Sequence, residues 1–188
     1  MKTSLNLILE PSISEDYQYL IREDIIRKVD RISKQLDRQN KILIIRSAWR
    51  SFEHQRLLWE TKFASLKKKY PERSDEDIKK IISYFIAPPT KSMHATGGAV
   101  DALIYDKIKD CVMDFGTNKG LEIDLSKKCY PYHPGISLEA KKNRALLIGL
   151  FEEEDFVCDI KEYWHFDYGN VVWAIKKEKE YAIYGPVN

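Results

Sequence analysis

Lys91-Ser92-Met93-His94-Ala95-Thr96-Gly97-Gly98-Ala99-Val100-Asp101 sets a histidine and an aspartate seven positions apart, with small residues between them. The histidine offers a borderline nitrogen ligand and the aspartate a hard oxygen, and the glycines let the backbone bend between the two. The two make half of a metal site, and residues from Ala99 to Tyr105 read as a strand passing through Asp101. The other half falls at Glu162-Tyr163-Trp164-His165, because a catalytic zinc takes three protein ligands from His, Asp, Glu and Cys and keeps an open position for water. His94, Asp101 and His165 make the three, and Glu162 is left as a base.

Working outward, Lys41-Ile42-Leu43-Ile44-Ile45-Arg46 follows a polar Asp37-Arg38-Gln39-Asn40 turn, and its β-branched run predicts a buried strand. Arg50 stands just past that strand's end, where side chains often face a site. After an extended N-terminal piece, Ile21, Ile25, Ile26, Val29, Ile32 and Leu36 recur at three- and four-residue spacing, predicting an amphipathic helix over roughly residues 15–38. Two helices are expected between Arg50 and His94. Ser51 caps the first, which carries Phe52, Leu58, Trp59, Phe63 and Leu66 and ends in Lys67-Lys68-Lys69 before Pro71. Ser74-Asp75-Glu76-Asp77 starts the second, with Ile78, Ile81, Ile82 and Phe85 as its apolar face and Pro88-Pro89 as its stop.

Beyond Asp101, residues 116–120 read as a loop and residues 121–125 as a short extended piece. Ser137 caps the last long helix, with Leu138, Ala145, Leu146, Leu150 and Phe151 inward and Glu152 to Asp155 at its solvated end. Two final extended segments, about 163–168 and 171–175, carry His165. No repeat, low-complexity segment or linker divides the chain, so residues 1–188 are expected to form one domain with one catalytic unit.

Composition narrows the function classes. A net charge of +2 from 31 basic and 29 acidic residues leaves no electrostatic case for nucleic acid. No window approaches the roughly 18 apolar residues of a membrane span. Leu5-Asn6-Leu7-Ile8-Leu9 is cut short by Glu10 and Pro11, below the typical signal-peptide core of about 7–15 apolar residues. Cys111, Cys129 and Cys158 are odd in number and show no Cys-x-x-Cys spacing, so they read as reduced thiols. Together these features point to the cytoplasm, a processed or non-classically exported chain being the alternative.

Taken singly, His94 or His165 is more often a turn or surface histidine than a ligand; the joint pattern weighs the other way. His54, on a helix, and His133, in Tyr130-Pro131-Tyr132-His133-Pro134, read as structural. Ser92-x-His94-x-x-Gly97-x-Ala99-x-Asp101 with Glu162-x-Trp164-His165 resembles the zinc D-Ala-D-Ala dipeptidase and carboxypeptidase family. Ala48-Trp49-Arg50 is similar to that family's arginine segment. Phe85-Ile86-Ala87-Pro88-Pro89, and Glu139-Ala140 with Asn143-Arg144 and Leu146-Leu147, look like its vancomycin-resistance-type dipeptidase branch. The similarity runs from about Ile42 to Phe166.

The resemblance implies an α+β fold with a small, mainly antiparallel central sheet flanked by helices and a zinc site at the sheet. It makes His94, Asp101 and His165 the ligands of one zinc per chain, Glu162 the catalytic carboxylate, Arg50 the cation facing the scissile carbonyl and Ser92 a contact to the substrate's carboxyl end. The chemistry agrees, since zinc acidifies water toward a pKa of about 7 and a nearby carboxylate can take the proton. Arg50 keeps its charge throughout, and such an oxyanion partner is commonly worth about 3 kcal/mol or more. One departure stands out: Gly120 follows Asp114-Phe115-Gly116-Thr117-Asn118-Lys119 where the dipeptidase branch carries an aspartate for the substrate's amino group. Glu122 or Asp124 is the candidate replacement. The expected activity is hydrolysis of D-Ala-D-Ala or a related cell-wall-derived dipeptide. A D,D-carboxypeptidase or endopeptidase acting on longer peptidoglycan stems is the alternative in the same class, and a non-catalytic zinc-containing binding module the alternative outside it.

Overall fold

A computed structural model describes residues 7–9, 20–84, 86–117 and 128–187. Its centre is a six-stranded sheet, five strands in the order β1-β2-β3-β6-β5 and the sixth, β4, paired to the far end of β3. β1 (Leu7–Leu9) runs parallel to β2 (Lys41–Ser47), and every other pairing is antiparallel, among β2, β3 (Ala99–Asp106), β4 (Cys111–Val112), β5 (Val157–Cys158) and β6 (His165–Asp167). Five helices accompany it among the described residues: α1 (Glu23–Asp37), α2 (Phe52–Lys69), α3 (Asp75–Ile82), α4 (Leu138–Glu153) and α5 (Val171–Lys176). The α+β architecture with a mainly antiparallel central sheet is therefore the one expected.

Apolar periodicity builds the core. Ile25, Val29, Ile32 and Leu36 of α1 join Leu147, Ile148 and Phe151 of α4 and the buried residues of β2 and β3 in one cluster. Each such side chain contributes about 1.5–3 kcal/mol by leaving water. α2 and α3 pack on each other through Leu66, Ile78 and Ile82 as a separate small cluster. The three serine caps act locally as expected, Ser51, Ser74 and Ser137 accepting from the backbone N–H of His54, Asp77 and Ala140.

The sheet register decides where the chemistry goes. Asp101 on β3 lies opposite Ser47 of β2 on one side and His165 of β6 on the other, one row across three strands. A register shift between Ile45 and Ser47 sets the end of β2 on its path to Arg50.

Several local expectations differ from the structure. α1 starts at Glu23; Trp49 N–H donates to Leu20 O at 2.9 Å and Arg22 Nε to Thr96 O at 3.0 Å, which hold residues 20–22 extended. α3 stops at Ile82, well before Pro88-Pro89, with Ser83 Oγ donating back to Lys80 O. Along α4, Leu138 is 76% exposed and Ala145 exposed, while Asn143 and Arg144 are buried, because backbone carbonyls of distant segments satisfy these two polar side chains. Residues 171–176 form α5, not a strand, since the Asn170 side chain accepts from Trp173 N–H and starts a helix. Phe85 and the extended piece expected at 121–125 lie outside the described residues.

Candidate metal centre

His94 sits in a single 3-10 turn, Met93–Thr96, immediately before β3. Gly97 ends the turn at φ 67°, a left-handed conformation natural to glycine. At Gly98 a Cβ would come within 2.5 Å of Tyr168 O, so only glycine lets β3 close against the chain leaving β6. The turn is pinned from the other side as well. Arg50 N–H donates to His94 O at 3.2 Å, and His94 Nδ1 lies 2.7 Å from Ala48 O. A carbonyl only accepts, so Nδ1 carries the proton and Nε2 keeps its lone pair.

That Nε2 lies 3.3 Å from Asp101 Oδ2, while Asp101 Oδ1 lies 2.9 Å from His165 Nδ1. The two imidazoles meet edge to face with centroids 4.9 Å apart. One ligand atom from each of His94, Asp101 and His165 lies within 4.8 Å of the others, a grouping that could hold a metal ion. Neither His54 nor His133 belongs to it: His54 is on α2, and His133 Nδ1 accepts from Gly135 N–H. The thiols of Cys111, Cys129 and Cys158, none of them in a disulfide among the described residues, do not belong to it either.

Electrostatics favour the ligating forms of His94 and Asp101, and at His165 they favour the protonated ring, whose proton a metal would displace. Burial lowers the His94 imidazole below its ordinary value; Asp101 opposes the shift and Arg50 adds to it. Burial alone would raise the Asp101 carboxyl, yet the two imidazoles hold it well below the usual carboxylate range. At His165 burial acts downward but is outweighed by Asp167 and Asp101, which hold the ring well above its ordinary value. Two imidazoles, one carboxylate and an open cleft beside them fit a zinc ion of the catalytic kind.

The cleft encloses about 620 Å³ and is lined by Arg50, Ser92, Glu162 and the three clustered side chains among others. Glu162 hangs on a short loop: Asp159 Oδ1 accepts from Lys161 N–H at 2.7 Å and Glu162 N–H at 3.1 Å, and Glu162 O accepts from His165 N–H at 3.1 Å. Burial pushes its carboxyl up to about 8, with His165 pulling the other way. Arg50 is braced, its Nη1 donating to Gln55 Oε1 and its Nη2 to Ser47 Oγ, both at 2.7 Å. Ser92 is 5% exposed, and its hydroxyl does not cap the turn it precedes. Glu122 and Asp124 lie outside the described residues.

Gln55, Asp159 and Asp167 also line this cleft and were not singled out in the sequence. Gln55, 1% exposed, donates to Ala87 O at 2.8 Å while it holds Arg50. Asp167 follows His165 by two positions on one strand, so strand alternation was the signal that both face the same side.

Residues 8–181 match a peptidase family described as D-Ala-D-Ala dipeptidase. The chain is 26% identical over 125 residues to the D-alanyl-D-alanine dipeptidase of Escherichia coli, covering 66% of this chain and 54% of that protein, so it spans about half the length of this curated relative. Among solved structures, a variant of the vancomycin resistance D,D-pentapeptidase VanY in complex with Zn(II) is similar at TM-score 0.53 and 17% identity, over 96% of each chain. VanYB in complex with D-alanine-D-alanine is similar at TM-score 0.54 and 18% identity, over 92% of this chain and 90% of that one. At these identities the structural likeness speaks to the fold.

Proposed function

The chain belongs to the D-Ala-D-Ala dipeptidase family of peptidases, and from that premise we propose that it hydrolyses D-Ala-D-Ala or a related cell-wall-derived dipeptide, using one zinc per chain and Glu162 as general base. The observation that carries this reading is the convergence of His94, Asp101 and His165 within 4.8 Å in a cleft that Glu162 and Arg50 also line. Zinc held by those three side chains would polarise both a water and the substrate carbonyl. The Glu162 carboxylate takes the proton of the attacking water and returns it to the leaving amine nitrogen. The Arg50 Nη atoms donate to the carbonyl oxygen as it gains charge. Ser92 Oγ hydrogen-bonds the carboxyl end, and Glu122 or Asp124 pairs with the ammonium of a free dipeptide.

A second reading keeps the chemistry and lengthens the substrate. A cleft of about 620 Å³, with Lys62, Lys91, Lys161 and Tyr84 in its walls, is roomier than a dipeptide needs and favours a D,D-carboxypeptidase or endopeptidase acting on peptidoglycan stems. A non-catalytic zinc module is disfavoured because a structural zinc wants four protein ligands and has no use for Glu162.

One set of assays tests these readings: kcat/KM for D-Ala-D-Ala, its N-acetyl form and a stem pentapeptide, with and without chelator. We expect chelator-sensitive cleavage with the free dipeptide preferred, and a clear preference for the acetylated or longer compounds selects the second reading. Glu162→Ala should keep its metal and lose turnover, whereas His94→Ala, Asp101→Ala and His165→Ala should each lose the metal. Zinc lost from Glu162→Ala as fully as from His94→Ala would end the division between ligand and base.

A further inference from the structure

His165 stands between two carboxylates, its Nδ1 2.9 Å from Asp101 Oδ1 and its Nε2 3.3 Å from Asp167 Oδ1. A neutral imidazole has one lone pair to give, so which nitrogen serves the metal depends on which one is obliged to carry a proton. The answer begins at the next helix. Asn170 is wholly buried, and its Oδ1 accepts from Trp173 N–H at 3.1 Å as the N-cap of α5. A backbone N–H only donates, so this bond settles the orientation of the amide. Nδ2 is therefore the end that donates to Asp167 Oδ1 at 2.6 Å and to Gly98 O at 3.2 Å. Asp167, 1% exposed, is thus an acceptor, and His165 Nε2 is the atom that must present it a proton. Nδ1 faces Asp101, itself a candidate ligand, so when a metal takes that side Nε2 keeps its proton and Nδ1 gives the lone pair.

His94 is set in the opposite sense. Its Nδ1–H donates to the Ala48 carbonyl at 2.7 Å, and its Nε2 faces Asp101. Each imidazole has its acceptor behind it, a neutral carbonyl for His94 and a buried carboxylate for His165. Such partners fix ring orientation and raise ligand basicity, and losing one typically weakens metal binding about 10–100-fold.

We propose that Asp167 and Asn170 are positioning residues of the metal centre: the N-cap of α5 orients the Asn170 amide, Asn170 holds Asp167 as an acceptor, and Asp167 makes Nδ1 the metal-facing nitrogen of His165. This rests on the reading of His94, Asp101 and His165 as ligands. The sequence motif contains neither residue, because their role exists only once β6 pairs with β3 and α5 turns back on the end of β6.

Zinc competition titrations against a chromophoric chelator provide the test, read beside the melting curve of each metal-free protein. Asp167→Asn, whose amide can offer His165 either a donor or an acceptor, should bind zinc about 10–100-fold more weakly. Asn170→Asp keeps an acceptor for Trp173 N–H but removes the donor to Asp167, and should weaken zinc as well while α5 stays capped. Folded variants with wild-type zinc affinity and only a lowered melting temperature would overturn the inference and leave the ligand set standing. Wild-type protein that binds no zinc would overturn the ligand set itself, and this inference with it. Should the variants fail to fold, long-range ¹H–¹⁵N correlation on zinc-loaded wild-type protein still decides, with Nδ1 bound and Nε2 protonated at His165 expected and the reverse pattern refuting it.

Discussion

Arg50 shows how much a single side chain depends on its brace. Its backbone follows β2, each Nη atom gives one of its two N–H groups to Gln55 or Ser47, and its charge is felt by both His94 and Glu162. A guanidinium so held loses little by reorganising when charge develops on a substrate oxygen. Arg50→Ala should therefore lower kcat by roughly two to three orders of magnitude with metal content unchanged. Steady-state kinetics check this, and a loss confined to KM would mean that Arg50 only binds substrate. Arg46, at the register shift of β2, is the control, and its change to alanine should matter less.

At the scale of elements, α4 reaches the cleft indirectly. Asn143 Nδ2 donates to Asp114 O at 2.7 Å, and buried Arg144 donates to the carbonyls of Phe115, Lys128 and Tyr130 while its guanidinium lies 4.0 Å from the Tyr163 ring centroid. One helix thereby ties chain on both sides of residues 118–127 to the segment that carries Glu162. Hydrogen bonds to a charged group contribute about 1.5–3 kcal/mol each, and the carbonyls would be stranded without their donor. Arg144→Met should destabilise the fold by about 3 kcal/mol or more, a fall in melting temperature on the order of 10 °C at this chain length. A melting curve within about 2 °C of wild type would show the carbonyls satisfied some other way.

Across the whole molecule the centre draws on stretches far apart in sequence: the turn that leads into β3 together with β3, then β6, with the end of β2 alongside. A ligand bound only by the folded chain stabilises it by about 2.7 kcal/mol at a hundredfold excess over Kd. Zinc at that level should raise the melting temperature by roughly 5–10 °C, and a chelator should reverse the rise. Identical melting curves with zinc and with chelator would count against a metal held by His94, Asp101 and His165.

What the sequence determined by itself is what short-range physics controls. Ser51, Ser74 and Ser137 cap helices by bonds three residues long, the β-branched run of β2 has a single good use, and the His94 and Glu162 motifs stand out by local spacing. Tertiary structure alone decided the rest. Polar Asn143 and Arg144 take buried places from Leu138 and Ala145 because carbonyls 14 to 29 residues away receive them. Asn170 meets Gly98, 72 residues away, only after strand pairing, and Gln55 meets Ala87, 32 residues away, only once the chain after α3 returns to it. A buried polar group is tolerated only when partnered, and its partner is chosen by the fold, whereas a cap or a strand pattern finds its partner in its own neighbourhood.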